Sequence, residues 1–367
     1  MFGPDRPYRR VTGNRFFSGM LGLAIMLQIL ARYVPGFAEG YARYVYPVIL
    51  RGLGGISNLV PFALDEALIY ILILLIVGYL AAGIRHMMKM QETVKEWSVK
   101  TIQRLIKAGI LWFFLFTVNC GVNYHRATFS ELAEIPVELS TVEELEGLCL
   151  WLTEKIEKTA PRIRTEENGL CAMPDQMREK TRQAMTELGN TYPQLAGWYP
   201  KAKPVFTWRV LSMEALEGVS GPYTMEANYN PDIPAHNQPA VLCHELSHLK
   251  GFMREDEANY IAYLACTGSE DANLKYSGLL LAYTHSINAL YRADRERFSD
   301  VRKRLCEQAE RDYAYHREYW KQFEGPVAKV SDKVNNAYLK ANAQKEGSRS
   351  YGRMVDLLLG EYRRRED

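Results

Sequence analysis

Three near-continuous apolar runs stand in the first third of the chain, and nothing of comparable length follows them. The first runs from Phe16 to about Val34, the second from Phe62 to Ile84, and the third from Leu105 to about Val122, with Trp112, Phe113, Phe114 and Phe116. Each is read as a membrane-crossing helix, over 16–34, 62–84 and 105–122. The second is apolar on every face, which a buried soluble helix seldom is over that length. The first is short for a full span and competes with a cleaved signal peptide; no A-x-A site follows it, so a retained anchor is expected. Between the first two runs, residues 36–61 are apolar but broken by Pro47, Gly52, Gly54, Gly55 and Pro61. They read as an interfacial loop with Tyr41, Tyr44 and Tyr46 at headgroup level. Asp65 and Glu66 open the second run, where water or headgroups can reach them.

After residue 125 the pattern becomes that of a polar, helix-rich domain. Thr141 followed by Glu144 forms a capping box for a helix through Thr159. Pro174 to Gly189, Arg254 to Cys266 and Leu279 to Tyr291 read as further helices. Glu296 to Phe323 reads as one exposed amphipathic helix with a solvated charge face. Residues 335–342 read as a turn feeding a final helix. Two alternating stretches, Val205–Val210 and Tyr223–Tyr229, are punctuated by Gly218, Gly221, Pro222, Pro231 and Pro234 and predict strands of a small sheet. Such a sheet is either a structural hairpin or an edge on which an extended peptide can pair. The expected fold class is mostly α with a small β-sheet, an α+β domain over 126–367 behind a membrane region over 1–125.

Charge adds orientation. The basic N-terminus and the basic stretch 85–107, with Arg85, Lys89, Lys95, Lys100, Arg104 and Lys107, place those segments in the cytoplasm by the positive-inside rule. With three spans, everything after Tyr124 is then outside the cytoplasm, in a multi-pass protein of the cell membrane. Overall, 45 Lys and Arg against 43 Asp and Glu leave a net charge of +2, too small to suggest a nucleic-acid partner. The mean hydropathy of −0.24 averages two unlike halves. The six cysteines contain no C-x-x-C pair, so a cysteine zinc ribbon is not expected. Cys149 and Cys171 are either bridged or, like the rest, free core fillers.

The chemistry concentrates in His244-Glu245-Leu246-Ser247-His248, an H-E-x-x-H motif. Four residues apart on a helix, the two imidazoles leave one face a turn apart, the spacing from which a single Zn²⁺ is held. Glu245 between them can reach a water and serve as general base. Gly251 can end this helix in a left-handed cap. Glu255 and Asn259, again four apart, suit a third ligand and a supporting partner. Glu257 is the rival ligand, but two residues on it points to another helix face.

Several pieces together resemble DUF3810, a bacterial membrane-protein family of unknown function with N-terminal membrane helices and a zincin-like domain. They are Val118 to Arg126, Tyr223 to Ala227, His244 to His248, Gly251-Phe252, Arg254 to Asn259, and Tyr338-Leu339-Lys340. The site also resembles gluzincin metallopeptidases, whose E-x-x-A-D/N pattern maps its ligand onto Glu255 and its supporting residue onto Asn259. Asn rather than Asp at 259 lacks the carboxylate with which many such sites support a histidine ligand. The resemblance implies a membrane-anchored, zinc-dependent peptidase acting on a peptide or protein, with the lipid bilayer as its other partner. A catalytically inactive scaffold or sensor in the cell envelope is the alternative. Candidate stabilisers of the oxyanion are His285, Tyr291, Tyr338 and Tyr351. An intramembrane protease is disfavoured, because Lys250, Arg254, Glu255 and Asp256 follow the motif directly.

Overall fold

The computed structural model describes residues 6–89, 93–138, 140–341 and 353–366. Among the described residues, three helices are long and apolar enough to cross a membrane: α1 (Arg6–Tyr33), with its candidate span from Asn14, α4 (Leu64–Met88) and α5 (Val94–Asn119). Between α1 and α4, two short helices, α2 (Phe37–Gly40) and α3 (Tyr46–Ser57), are joined by a π-helical turn over Tyr41–Val45. The outward faces of α4 are apolar, with Leu72, Leu74, Leu75 and Val77 all exposed. That is the surface lipid would cover. α1 packs along α5, where Gln28 Nε2 donates to Thr117 Oγ1 at 3.3 Å. α4 meets α5 through the stacked rings of Tyr79 and Trp97.

Two expectations for this region change. The stretch 85–107 is helical on both sides of residues 90–92, because a Thr93–Glu96 capping box starts α5 at Val94 rather than near Leu105. Lys95, Lys100, Arg104 and Lys107 therefore ride on the helix, where long side chains can carry their charge toward an interface. The segment 36–61 is helical rather than a loop. Tyr46 and Leu50 are each only 2% exposed and belong to the same core as Met225, Leu242 and Tyr199. Burying one face of α3 supplies the stabilisation that its glycines withhold.

The polar domain follows a 3-10 turn at Gly121–His125. Helices α6 (Phe129–Leu132), α7 (Val142–Thr159) and α8 (Met177–Thr191) lead to the sheet; the Thr128–Glu131 and Thr141–Glu144 capping boxes are both formed. The sheet has β1 (Lys203–Pro204), β2 (Gly218–Gly221) and β3 (Glu226–Tyr229), with α9 (Trp208–Met213) between β1 and β2. Its order is β1-β3-β2, with β3 parallel to β1 and antiparallel to β2. The alternation at Val205–Val210 does not make a strand. Glu66, on α4, accepts the backbone N–H groups of Phe206 and Thr207, both at 2.7 Å, and so removes them from the sheet. The chain then turns into α9. β2 lies where only turn punctuation was expected, and the second predicted strand shortens to Glu226–Tyr229.

Helices α10 (Gln238–His248), α11 (Glu255–Gly268) and α12 (Ala272–Ala293) form the centre of the domain. The helix expected over Glu296–Phe323 is two, α13 (Arg295–Arg302) and α14 (Glu307–Lys321), because Leu305 turns into the core and Cys306 is extended. The turn expected at 335–342 lies largely within α15 (Pro326–Ala341); α16 (Arg353–Glu366) closes the core with Leu357, Leu358 and Leu359. All six cysteines are free thiols, so Cys149 and Cys171 are not bridged.

The apolar helices and the polar domain meet at a polar knot. Lys203 and Glu226 form an ion pair whose side chains are 4% and 1% exposed. Lys203 Nζ also donates to Ser57 O at the end of α3. The backbone N–H of Asp65 donates to Glu226 Oε2 at 2.9 Å, and Asn228 Nδ2 donates to Asp65 Oδ2 at 3.3 Å. The acidic start of α4 is therefore tied to the sheet rather than left to headgroups. Breaking a buried pair on one side strands a charge, which typically costs about 3–5 kcal/mol. Lys203→Met should accordingly lower the thermal unfolding midpoint of the purified full chain sharply, and Lys203→Met/Glu226→Leu should recover much of the loss. A single variant as stable as the parent would contradict this account of the knot.

Candidate metal centre

α10 places its apolar positions inward and its histidines outward. Leu242, Cys243 and Leu246 are fully buried, while Ala240, His244 and His248 face a cavity. The helix then stops abruptly. Gly251 adopts φ +83°, a left-handed conformation costly for residues with a Cβ. The Gly251 N–H donates to His248 O at 2.8 Å and the Phe252 N–H to Ser247 O at 3.3 Å, the paired bonds of a Schellman cap. The reversal is tight enough that α11 opens with Glu255 directly over α10.

Three donors converge as a result. His244 Nε2 and His248 Nε2 are 3.0 Å apart. Glu255 Oε2 lies 3.2 Å from His244 Nε2, and Glu255 Oε1 lies 3.8 Å from His248 Nε2. Ligands about 2.0–2.2 Å from one tetrahedral ion stand roughly 3.2–3.6 Å from each other, so the spacing suits a metal. The tautomers agree. His248 Nδ1 is 2.8 Å from the carbonyl of Phe252, which can only accept, so Nδ1 carries the proton. His244 Nδ1 is likewise 2.8 Å from Asn259 Oδ1. Both Nε2 atoms thus present lone pairs to one another and to a carboxylate, an arrangement that a cation between them relieves. Asn259 orients its histidine even though it brings no charge.

Glu245 takes a different position. It is 5% exposed and lies under β2. Its Oε2 accepts from Ser220 Oγ at 3.0 Å. A methyl group at Gly218 would sit 2.5 Å from Glu245 Oε1, so only glycine allows this approach. Burial pushes the Glu245 carboxyl up to about 7, against the pull of His248 and the Ser220 hydroxyl. Glu257 is no ligand in this arrangement. Its Oε1 accepts the Phe129 N–H at 3.1 Å and Arg254 Nη1 at 3.0 Å, holding α11 to α6.

The donors open into a cavity of about 570 Å³. Its walls come from both halves of the chain: Tyr46, Asn119, Cys120 and Tyr124 on one side, β2 and α12 on the other. His285 and Tyr338 both line it. Tyr291 does not; it is 44% exposed and packs against Phe298 and Arg295. Tyr351 lies outside the described residues. Tyr124 is the wall residue that sequence reasoning missed as functional, although it sits in the polar segment closing the third apolar run. Its hydroxyl donates to that of Tyr338 at 2.9 Å. The Tyr338 ring is partly exposed while its hydroxyl turns inward, and burial pushes both phenols well above their ordinary range, so they keep their protons. Ser220 and Gly218 were missed as site residues because β2 was not recognised as a strand.

Comparison with protein families gives a match to the model described as "Protein of unknown function (DUF3810)" over residues 41–359. The chain belongs to the DUF3810 family. The match takes in α3, the polar knot, the sheet, the three converging donors and the first half of α16. Comparison with curated proteins and with solved structures gives no match. For this DUF3810 protein the donor geometry makes its own test. Full-length protein dialysed against metal-free buffer should retain a single divalent ion by elemental analysis. His244→Ala and Glu255→Ala should lose it, and Glu257→Gln should keep it while losing stability. Undiminished metal in His244→Ala/Glu255→Ala would place the ion elsewhere.

Proposed function

We propose that this protein is a membrane-anchored zinc metallopeptidase. The observation that carries the proposal is the convergence of His244, His248 and Glu255 on a cavity wall, with Glu245 clamped beside them under an edge strand. Zn²⁺ held by those three residues would supply Lewis-acid polarisation of a peptide carbonyl and acidify a water beside it. β2 is an outer strand of the sheet and lines the cavity with Gly218, Val219 and Ser220. An extended peptide can pair with its open edge and bring a carbonyl toward Glu245.

Glu245 does the proton work. Its carboxylate takes a proton from the attacking water as the oxygen bonds to the carbonyl carbon. It then gives that proton to the amide nitrogen as the C–N bond breaks, leaving a carboxylic acid and an amine. Ser220 fixes the orientation of this carboxylate for both steps. Tyr338, oriented by Tyr124, is the donor best placed to stabilise negative charge on the carbonyl oxygen, and His285 lies across the same cavity. Glu245→Gln keeps the shape but cannot accept the proton. It should retain metal and lose about 10²–10⁴-fold in cleavage of a peptide library. Equal cleavage by both forms would sink the proposal, and absence of cleavage by the parent would favour a non-enzymatic scaffold.

The proposed location is the cell membrane, with the domain outside the cytoplasm. Support comes from charge: Arg15 where the apolar part of α1 begins, Arg85 near the end of α4 with Lys89 just beyond it, and Lys95 and Lys100 in the first turns of α5 lie at the helix ends remote from the domain. Protease added to sealed right-side-out vesicles should digest the region after residue 125. Digestion only after lysis would reverse the orientation.

A further inference from the structure

α15 is built the wrong way round for a soluble helix. At 3.6 residues per turn, Val327, Val330, Val334, Ala337, Tyr338 and Ala341 fall within about 100° of one another. All six are exposed, with Val330 at 60% and Val334 at 63%. The flank roughly 100° round the helix is small and polar: Ala328, Ser331 and Asn335 are half-buried, and Asn335 lines the cavity that holds His244. Lys329, Lys333 and Lys340 lie together along one border of the apolar face, with Asp332 on the far side. An exposed apolar stripe bordered by lysines is the pattern of a helix lying in a membrane interface.

Position selects the same partner. Tyr338 packs against Phe116, in the last turn of α5, and bonds Tyr124 just beyond it. Exposed aromatic rings bracket this level, Tyr33 beyond it at the end of α1 and Trp112 one turn before Phe116 on α5. The apolar stripe of α15 therefore continues the apolar surface of a membrane-crossing helix at the height where that helix leaves the bilayer.

We infer that α15 is an interfacial helix, its valine stripe seated among acyl chains and its lysines on anionic headgroups, so that the bilayer itself backs one wall of the cavity. The inference uses the membrane-crossing reading of α5 and is independent of any peptidase activity. The lysine border calls for anionic lipid, each basic residue near such a surface adding its own attraction.

The test uses the full chain in vesicles of phosphatidylcholine with phosphatidylglycerol. Cys306→Ser removes the half-buried native thiol, and spin labels are placed singly at Val330→Cys, Val334→Cys and Asp332→Cys. At 330 and 334 the label should be relaxed more by oxygen than by a water-soluble nickel chelate, and at 332 the order should reverse. Replacing phosphatidylglycerol by phosphatidylcholine, or changing Lys329, Lys333 and Lys340 to Glu, should raise the nickel accessibility at 334. Equal nickel accessibility at 330, 332 and 334 overturns the inference. Spin–spin broadening at 334 would put a second copy of the chain on this face and overturns it as well. Metal content, read on the same samples, separates either failure from a failure of the metal centre.

Discussion

Two imidazole lone pairs and a carboxylate are made to face one point, and the chain spends several local choices to hold them there. Left alone, such groups repel. The helix α10 is anchored by Leu242, Cys243 and Leu246 in the core, so His244 and His248 cannot swing away. The Schellman cap at Gly251 forces the chain back within a few residues, and α11 delivers Glu255 from above. Asn259 and the Phe252 carbonyl occupy the far ring nitrogens and fix which nitrogen faces inward. Every element around this point is paid for by its packing elsewhere, which is what a preformed cation site requires.

The same economy governs the seam between the apolar helices and the polar domain. The hydrophobic core does not stop at residue 125: Tyr46, Leu50 and Val122 share it with Met225, Leu242 and Phe252. Beside it, Asp65, Lys203 and Glu226 tie α4 to the sheet through largely buried bonds, and Glu66 holds the turn that follows β1. The cavity lies in this seam, so its shape depends on both halves at once. A domain merely tethered by a linker would have its site walled by its own residues alone.

Much of this could be read from the sequence, for physical reasons. Helices declared themselves wherever a periodic apolar face coincided with a cap, as at Thr141–Glu144 before α7. The converging donors were readable because i,i+4 spacing on a helix fixes side-chain direction, and the same rule separates Glu255 from Glu257. The misses share a cause. β2 is four residues long and half glycine; it is a strand through its pairing with β3, and the close approach of Glu245 to Gly218 is a tertiary demand with no local signature. The strand expected at Val205–Val210 was overridden by Glu66, far away in sequence. The helical character of 36–61 was hidden by its glycines, since its stability comes from contact with Met225 and Trp198. Tyr291 satisfied the same chemical criteria as Tyr338, and only the fold separates them.

Asn119, the last residue of α5, donates through Nδ2 to the carbonyl of Pro222 at 2.7 Å, and it lines the cavity together with Cys120 and Tyr124. A rigid helix thus runs without a joint from the apolar layer into the cavity wall. On the proposed reading, the height of the reaction centre above the bilayer is then a constant of the molecule. If it cleaves peptides as proposed, such a centre would work as a ruler, choosing among chains by how far from the membrane a susceptible bond lies. Lengthening or shortening the stem of a membrane-bound substrate would move the cut along its sequence while leaving its distance from the lipid unchanged.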